Sequence, residues 1–202
     1  IKSKKKTVRL HYILAQIYQS ENNYLSAQKH YKAVLKSNPK YEMAFNAKMS
    51  LARSLEAGNA DLKSMKKTLL KMAKDQKNKE YLDQIYYTIA EMEVNNQDTL
   101  SAIENYQLST LNSVQNDLQK ALSFLALGKI DFKRGLYKSS SAYYDSTIFY
   151  MDAGFALYEQ SKEKQEVLNE LVFNLNTVEL QDSVQMLAKL SDQEKNTIIQ
   201  NI

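Results

Sequence analysis

Residues 10–39 read LHYILAQIYQSENNYLSAQKHYKAVLKSNP, and this stretch decides the fold because its pattern recurs along the chain. Leu14 and Ala15 place a bulky residue before a small one, and Ala27 and Tyr31 follow 12 and 16 residues after Ala15. The bulky–small pair recurs at residues 51–52, 89–90 and 127–128. The small residues are therefore 37, 38 and 38 positions apart. A fixed period of this length indicates repeated supersecondary units.

A second series of residues follows each bulky–small pair at nearly the same offset. Its later members are Met65 and Leu69, Ala102 and Tyr106, and Ser140 and Tyr144. Small residues that meet on consecutive helices let two antiparallel helices approach closely, while large residues one turn away fill the space beside the crossing. The pattern predicts four helical hairpins, with Ala15, Ala52, Ala90 and Gly128 buried at the crossings.

The first unit resembles the tetratricopeptide repeat. The matching residues are Leu14, Ala15, Tyr18, Ala27, Tyr31 and Pro39. Later units depart from the pattern, since Asp131 stands where a Tyr is expected and Ser140 replaces an Ala. The resemblance implies an all-α fold in which residues 7–152 form four tetratricopeptide-like hairpins in a right-handed superhelical array.

Beyond about Asp152 the period lapses. Leu168, Leu171, Val172 and Leu175 have the i, i+3, i+4, i+7 spacing of a long amphipathic helix, which we expect to cap the last hairpin. Val184 and Leu187 predict another short helix, and Ser191 with Glu194 forms a capping box that predicts a final one. Residues 153–202 are thus predicted to be C-terminal capping helices of the same solenoid domain.

The composition narrows the class of protein. The 202 residues are 44% hydrophobic and 25% charged, which excludes a disordered or collagen-like chain. Four Gly and one Pro are too few for the turns of an all-β or Rossmann-type fold. The absence of Cys excludes disulfides, thiolate metal sites and cysteine nucleophiles. No apolar run of transmembrane length and no signal-peptide pattern occurs, and because the first residue is Ile1 we expect a piece of a longer protein.

Four segments of the chain are distinctive: LHYILAQIYQ from Leu10, KDQKNKEYLDQIYYTIAE from Lys74, YYDS at Tyr143 and LNELVFNLNTVELQDSVQMLAKLS from Leu168. They resemble one particular family, the gliding-motility and type IX secretion lipoproteins of the PorW or SprE kind. The resemblance implies a lipid-anchored protein of Bacteroidota on the periplasmic face of the outer membrane, which links the secretion translocon to other components. A lipid-attachment Cys is missing from the sequence, so membrane association is expected only through an anchor outside this fragment.

No constellation of reactive residues points to catalysis, and we expect no enzymatic activity, cofactor or metal. His11 and His30 fall on the two helices of one hairpin, and neither has a second His or a carboxylate at i+3 or i+4. We therefore interpret them as packed or surface histidines. The four Gly residues stand apart from one another and form no phosphate-binding loop.

The residues that would line the groove of a tetratricopeptide array are the candidate partner-binding positions. They are Arg9, Tyr12, Gln16, Asn46, Met49, Arg53, Gln84, Tyr87, Glu91, Leu125, Lys129 and Phe132. Polar groups beside Tyr, Met and Phe favour a protein segment as ligand, whereas nucleic acid would require a uniformly basic lining. Ile198, Ile199 and Ile202 on the final helix form a second candidate surface.

Three functions stay open at this point. The first is a noncatalytic scaffold that binds protein partners within the type IX secretion and gliding machinery. The second is a cytoplasmic adaptor of the same architecture that recognises short peptide segments. The third is an enzyme with an unrecognised active site, which the lack of any reactive constellation in the sequence disfavours. A signal peptide followed by a lipidated Cys in the upstream sequence is expected only under the first.

Overall fold

The structure, a computed structural model, describes residues 2–55 and 61–200, without the side chains of residues 2–4, 196 and 199. Within these ranges it contains ten α-helices, one 3-10 helix at Gln76–Tyr81 and no strand, so the predicted all-α class is confirmed. The α-helices are α1 (Lys2–Ser20), α2 (Tyr24–Lys36), α3 (Tyr41–Arg53), α4 (Asp61–Ala73), α5 (Leu82–Asn95), α6 (Thr99–Asn112), α7 (Asp117–Lys133), α8 (Tyr137–Tyr150), α9 (Tyr158–Lys189) and α10 (Asp192–Gln200).

Helices that are neighbours in the chain pack against each other. The tightest pairs are α1 with α2, α5 with α6, and α7 with α8, while α4 packs mainly on α5. Among the first helices of the pairs, α3 contacts α5 and α5 contacts α7. This arrangement is consistent with a helical repeat array.

The small residues lie at the helix crossings, as predicted. Ala15, Ala52 and Ala90 are fully buried, and a Cβ atom built on Gly128 would lie 2.9 Å from Cδ2 of Tyr144. That distance is shorter than any ordinary carbon–carbon contact, so α7 and α8 approach closely because residue 128 has no side chain. Ser140 fits the same crossing because its hydroxyl donates to the Gly128 carbonyl oxygen at 2.9 Å.

Asp131, which stands where the repeat pattern has a Tyr, forms local hydrogen bonds that explain the substitution. Asp131 is buried, and its carboxylate accepts a hydrogen bond from the Ser139 hydroxyl at 2.5 Å and from Nη1 of Arg134 at 3.1 Å. Its backbone oxygen also accepts from the amide of Leu136, at the turn before α8. The residue that replaces the aromatic ring therefore holds the turn of the fourth hairpin with hydrogen bonds.

A buried polar network joins α5 to the connection between α6 and α7. Asp83 is 1% exposed, and its carboxylate accepts from the Ser113 hydroxyl at 3.1 Å and from Nδ2 of Asn116 at 3.0 Å. The Ser109 hydroxyl donates to the Asp83 backbone oxygen at 2.8 Å. Since buried polar groups need hydrogen-bond partners, this network fixes the third hairpin against the start of the fourth.

The prediction of a separate short helix at Val184 and Leu187 is wrong, because both residues lie within α9, which runs for 32 residues. Neither Gly nor Pro occurs after residue 154, so nothing in the sequence interrupts the helix. The predicted capping contact is present. Leu168 is buried against Leu125 and Tyr144 of the last hairpin.

The capping box that starts α10 is confirmed. The Ser191 amide donates to Oε2 of Glu194 at 2.8 Å, and the Glu194 amide donates to the Ser191 hydroxyl oxygen at 3.4 Å. The Ser191 hydroxyl also donates to Oε2 of Glu194 at 2.7 Å, and this bond, followed by that from the Ser191 amide, lowers the pKa of the Glu194 carboxyl group. Of the three isoleucines predicted to face one side, Ile198 is exposed, whereas Ile202 and the side chain of Ile199 lie outside the described residues.

Candidate interaction face

The candidate positions on α1, α3, α5 and α7 define a surface that we call the first-helix face. At its α1 end, Arg9, Tyr12 and Asn46 line an open groove of about 760 Å³ between α1 and α3. The structure thus brings together candidate residues from the first and second hairpins. The groove is also lined by five charged or apolar residues that the repeat pattern did not predict: Lys5, Val8, Lys40, Glu42 and Met43.

The groove combines apolar walls with a positive charge balance. Val8, Met43 and the ring of Tyr12 supply apolar surface, while the cations Lys5, Arg9 and Lys40 outnumber the single carboxylate of Glu42. Such a lining suits a protein segment that presents an apolar side chain beside acidic groups.

In the middle of the face, an ion pair joins α3 to α5. Nε of Arg53 lies 3.1 Å from Oε2 of Glu91, but both atoms are shielded from water and the N–H group does not point at the oxygen. The Tyr87 side chain also interacts with the Glu91 carboxylate. Burial raises the pKa of Glu91, and the nearby Arg53 charge and the Tyr87 side chain only partly oppose this effect. One carboxylate oxygen of Glu91 is therefore shielded from water beside the Arg53 guanidinium.

Tyrosine pairs flank this ion pair. The rings of Tyr12 and Tyr31 pack edge to face at 6.0 Å, and those of Tyr87 and Tyr106 at 5.3 Å. Burial, followed by the Glu91 charge, raises the pKa of Tyr87, so its hydroxyl stays protonated as a hydrogen-bond donor. Tyr12 and Tyr87 thus contact their own hairpins, and truncating either ring removes packing as well as any partner contact.

At the α7 end, Lys129 and Leu125 line two adjoining cavities. One, of about 290 Å³, also includes Tyr87, and the other, of about 410 Å³, also includes Lys164 and Val167 of α9. Lys129 is exposed between them. The long α9 therefore contributes surface to this end of the face, which the repeat pattern did not indicate.

Some candidate residues offer a partner little surface. Met49 is 2% exposed and Leu125 is 4% exposed, because both belong to hydrophobic clusters beneath the face. The ring of Phe132 is half-buried, packs against Tyr137 at 5.6 Å and is covered by Nζ of Lys164 at 3.6 Å from its centre. Of the remaining two, Gln16 is exposed and Gln84 is half-buried.

The structure also brings His11 and His30 together, a contact that the sequence analysis missed. Their Nδ1 atoms are 2.8 Å apart, so one ring donates and the other accepts, and Tyr18 stacks on His30 at 5.5 Å. Neither histidine has a partner at i+3 or i+4 on its own helix, so the pair forms only between the two helices. In an antiparallel hairpin crossing at Ala15 and Ala27, residue 11 lies opposite residue 30, and this register was the signal that could have found the pair.

The histidine pair should make the first hairpin sensitive to acid. Burial lowers the pKa of His30 below its ordinary value of 6.5, with further lowering by His11 and Lys29. Since the folded state resists protonation, its stabilisation is complete above pH 6.5 and decreases as the pH falls through that value. We expect the unfolding free energy, measured by urea titration, to fall less between about pH 8 and pH 5 in His30→Gln than in the parent. Equal losses in both proteins would refute this role for the pair.

The described residues contain no group of three or more His, Asp or Glu side chains that could hold a metal ion. None of the described helices is long and apolar enough to cross a membrane. Comparison of the chain with protein-family models and with curated proteins gives no match. What the first-helix face can bind must therefore be inferred from its own side chains.

Proposed function

We propose that this chain is a noncatalytic protein–protein interaction scaffold whose partners bind the first-helix face. The observation that carries the proposal is the groove of about 760 Å³ in which Arg9, Lys5 and Lys40 stand beside apolar side chains. Apolar surface supplies binding energy, and charges beside it select the partner. We further propose that the hairpins follow a right-handed superhelical path, which would make this face concave.

The more specific proposal is a scaffold in the type IX secretion and gliding machinery that links the outer-membrane translocon to other components. It rests on the resemblance of the segments around Leu10, Lys74, Tyr143 and Leu168 to the PorW or SprE kind of lipoprotein. Under this proposal the chain faces the periplasm, and a lipid anchor outside the fragment holds it at the outer membrane. Nucleic acid is a poor ligand for this face, because Glu42 and Glu91 alternate with its cations.

The second candidate is a cytoplasmic adaptor that binds peptide segments of its partners. The same groove favours it, since a lining of apolar walls with nearby cations suits an acidic peptide in any compartment. The two candidates share the binding face and differ in the proteins that reach it.

Site-specific crosslinking in cells distinguishes them. Photo-crosslinking residues at Asn46 and at Lys129 place probes at the two ends of the first-helix face. A third probe at Leu111 of α6, which is exposed outside this face, is the control. We expect probes at Asn46 and Lys129 to capture outer-membrane translocon components, and the probe at Leu111 to capture none. Capture of cytoplasmic chaperones or their clients would favour the adaptor. Equal capture from all three positions, or none from the face, would count against both.

A further inference from the structure

The outer side of α1 carries an uncovered apolar stripe. Leu10, Ile13, Leu14 and Ile17 have the i, i+3, i+4, i+7 spacing of one helix face, and all four are exposed. Leu14 is 40% exposed, whereas its repeat equivalents are almost completely buried: Leu51 at 3%, Ile89 at 0% and Leu127 at 1%. The same repeat position is therefore core in three units and surface in the first.

In the later units a helix of the preceding hairpin covers this position. Val34 of α2 belongs to the same hydrophobic cluster as Leu51, and Leu69 of α4 packs with Ile89. Tyr106 of α6 likewise packs with Leu127. The stripe on α1 therefore corresponds to a surface against which a helix packs in the later units. No helix among the described residues covers it.

A second apolar stripe lies on α9, which extends past the last hairpin. Phe173, Leu180, Val184 and Leu187 are exposed and share one side of the helix, away from the buried Leu168. With Thr177 between them, successive positions alternate in steps of four and three residues, which is the spacing of a coiled-coil seam. This stripe spans about 21 Å, enough to cover the shorter stripe on α1.

The two helices that carry the stripes have complementary charge. The sequence of α1 contains five Lys or Arg residues and no acidic residue. The sequence of α9 contains six acidic residues and three Lys. Two copies of α1 would repel each other, and so would two copies of α9, whereas α1 and α9 attract.

We propose that copies of this chain associate head to tail, with the α1 stripe of one copy docked on the α9 stripe of the next. The occupant of the α1 surface is then a helix, as at the equivalent positions in the three later units. Because the two contacting surfaces differ, every added copy offers a surface for the next, and the assembly grows into a chain or closes into a ring. This self-association uses surfaces distinct from the groove between α1 and α3, so it does not depend on the proposed scaffold function.

Two charge-introducing variants test the proposal. Leu14→Glu blocks the α1 stripe, and Leu180→Glu blocks the α9 stripe; Val114→Glu adds the same charge at an exposed apolar residue outside both. In sedimentation velocity, the parent and Val114→Glu should gain mass with protein concentration and lose it with added salt, because screening weakens the charge attraction. Each blocked variant alone should stay monomeric, with a helical circular dichroism spectrum that shows it is folded.

The mixture of the two blocked variants gives the deciding result. Leu14→Glu keeps an intact α9 and Leu180→Glu keeps an intact α1, so their mixture should form one-to-one dimers and nothing larger. A parent that remains monomeric over the whole concentration range overturns the proposal. So does a single blocked variant that still dimerises, which would indicate a symmetric interface, or a mixture that yields only monomers.

Discussion

Asp83→Ala is expected to lower the free energy of unfolding by about 3 kcal/mol. The carboxylate is buried, and its loss leaves the Ser113 hydroxyl and the Asn116 amide without their acceptor. Water does not reach this position easily, so the donors are not compensated, and the contact between α5 and the start of α7 loosens. Urea denaturation followed by circular dichroism at 222 nm, a wavelength that reports helix, measures the change.

Asp117→Ala is the matched control for this variant. Asp117 is exposed in the first turn of α7, one residue after Asn116, so its loss should cost less than about 1 kcal/mol. If the two variants unfold at the same denaturant concentration, the buried network does not hold the third and fourth hairpins together.

Gly128→Leu is expected to destabilise the fourth hairpin by about 3 kcal/mol, at the upper end of the usual cost of overpacking. The first added carbon would already meet the Tyr144 ring at 2.9 Å, and the rest of the side chain has no space at the crossing of α7 and α8. Because Tyr144 also packs with Leu168, the variant should loosen α9 as well. Hydrogen exchange of the amides in α8 and α9 would detect this as faster exchange than in the parent.

Lys129→Leu is the matched control, because it introduces a Leu at the next position of α7, where the side chain is exposed. It should leave the unfolding free energy within about 0.5 kcal/mol of the parent. A Gly128→Leu protein as stable as Lys129→Leu would show that α7 and α8 do not cross at residue 128.

The hairpins could be predicted from the sequence because close helix packing tolerates only small residues. One position in each unit must therefore be small, and in the first three units it is occupied by the buried residues Ala15, Ala52 and Ala90. The spacing of these residues predicts where the helices lie. The length of α9 was harder to predict. Leu168 and Val184 belong to apolar patterns on different sides of the same helix. In the sequence, such a shift of the apolar side looks the same as the start of a new helix.

The candidate face was predicted only in part, for a physical reason. Repeat register predicts the direction in which a side chain points, but it does not predict how far neighbouring side chains bury it. Met49 and Leu125 were therefore predicted to lie on the surface, although both belong to the hydrophobic core. Register also does not indicate which side chains of neighbouring units pair with each other. Arg53 and Glu91 occupy equivalent positions on α3 and α5, yet the repeat pattern does not predict that they form an ion pair. Lys40 lines the groove from the link before α3, which lies outside the repeated helix pattern.

If partners bind the first-helix face, reversing one of its charges should weaken the affinity of a purified partner for the protein. Arg9→Glu changes the charge of the groove at an exposed residue, and Lys67→Glu makes the same change on α4, outside the groove. Isothermal titration with the translocon component captured by crosslinking should show a loss of about tenfold or more for Arg9→Glu. Lys67→Glu should bind as the parent does. Equal affinities for Arg9→Glu and the parent would show that the partner does not bind the first-helix face.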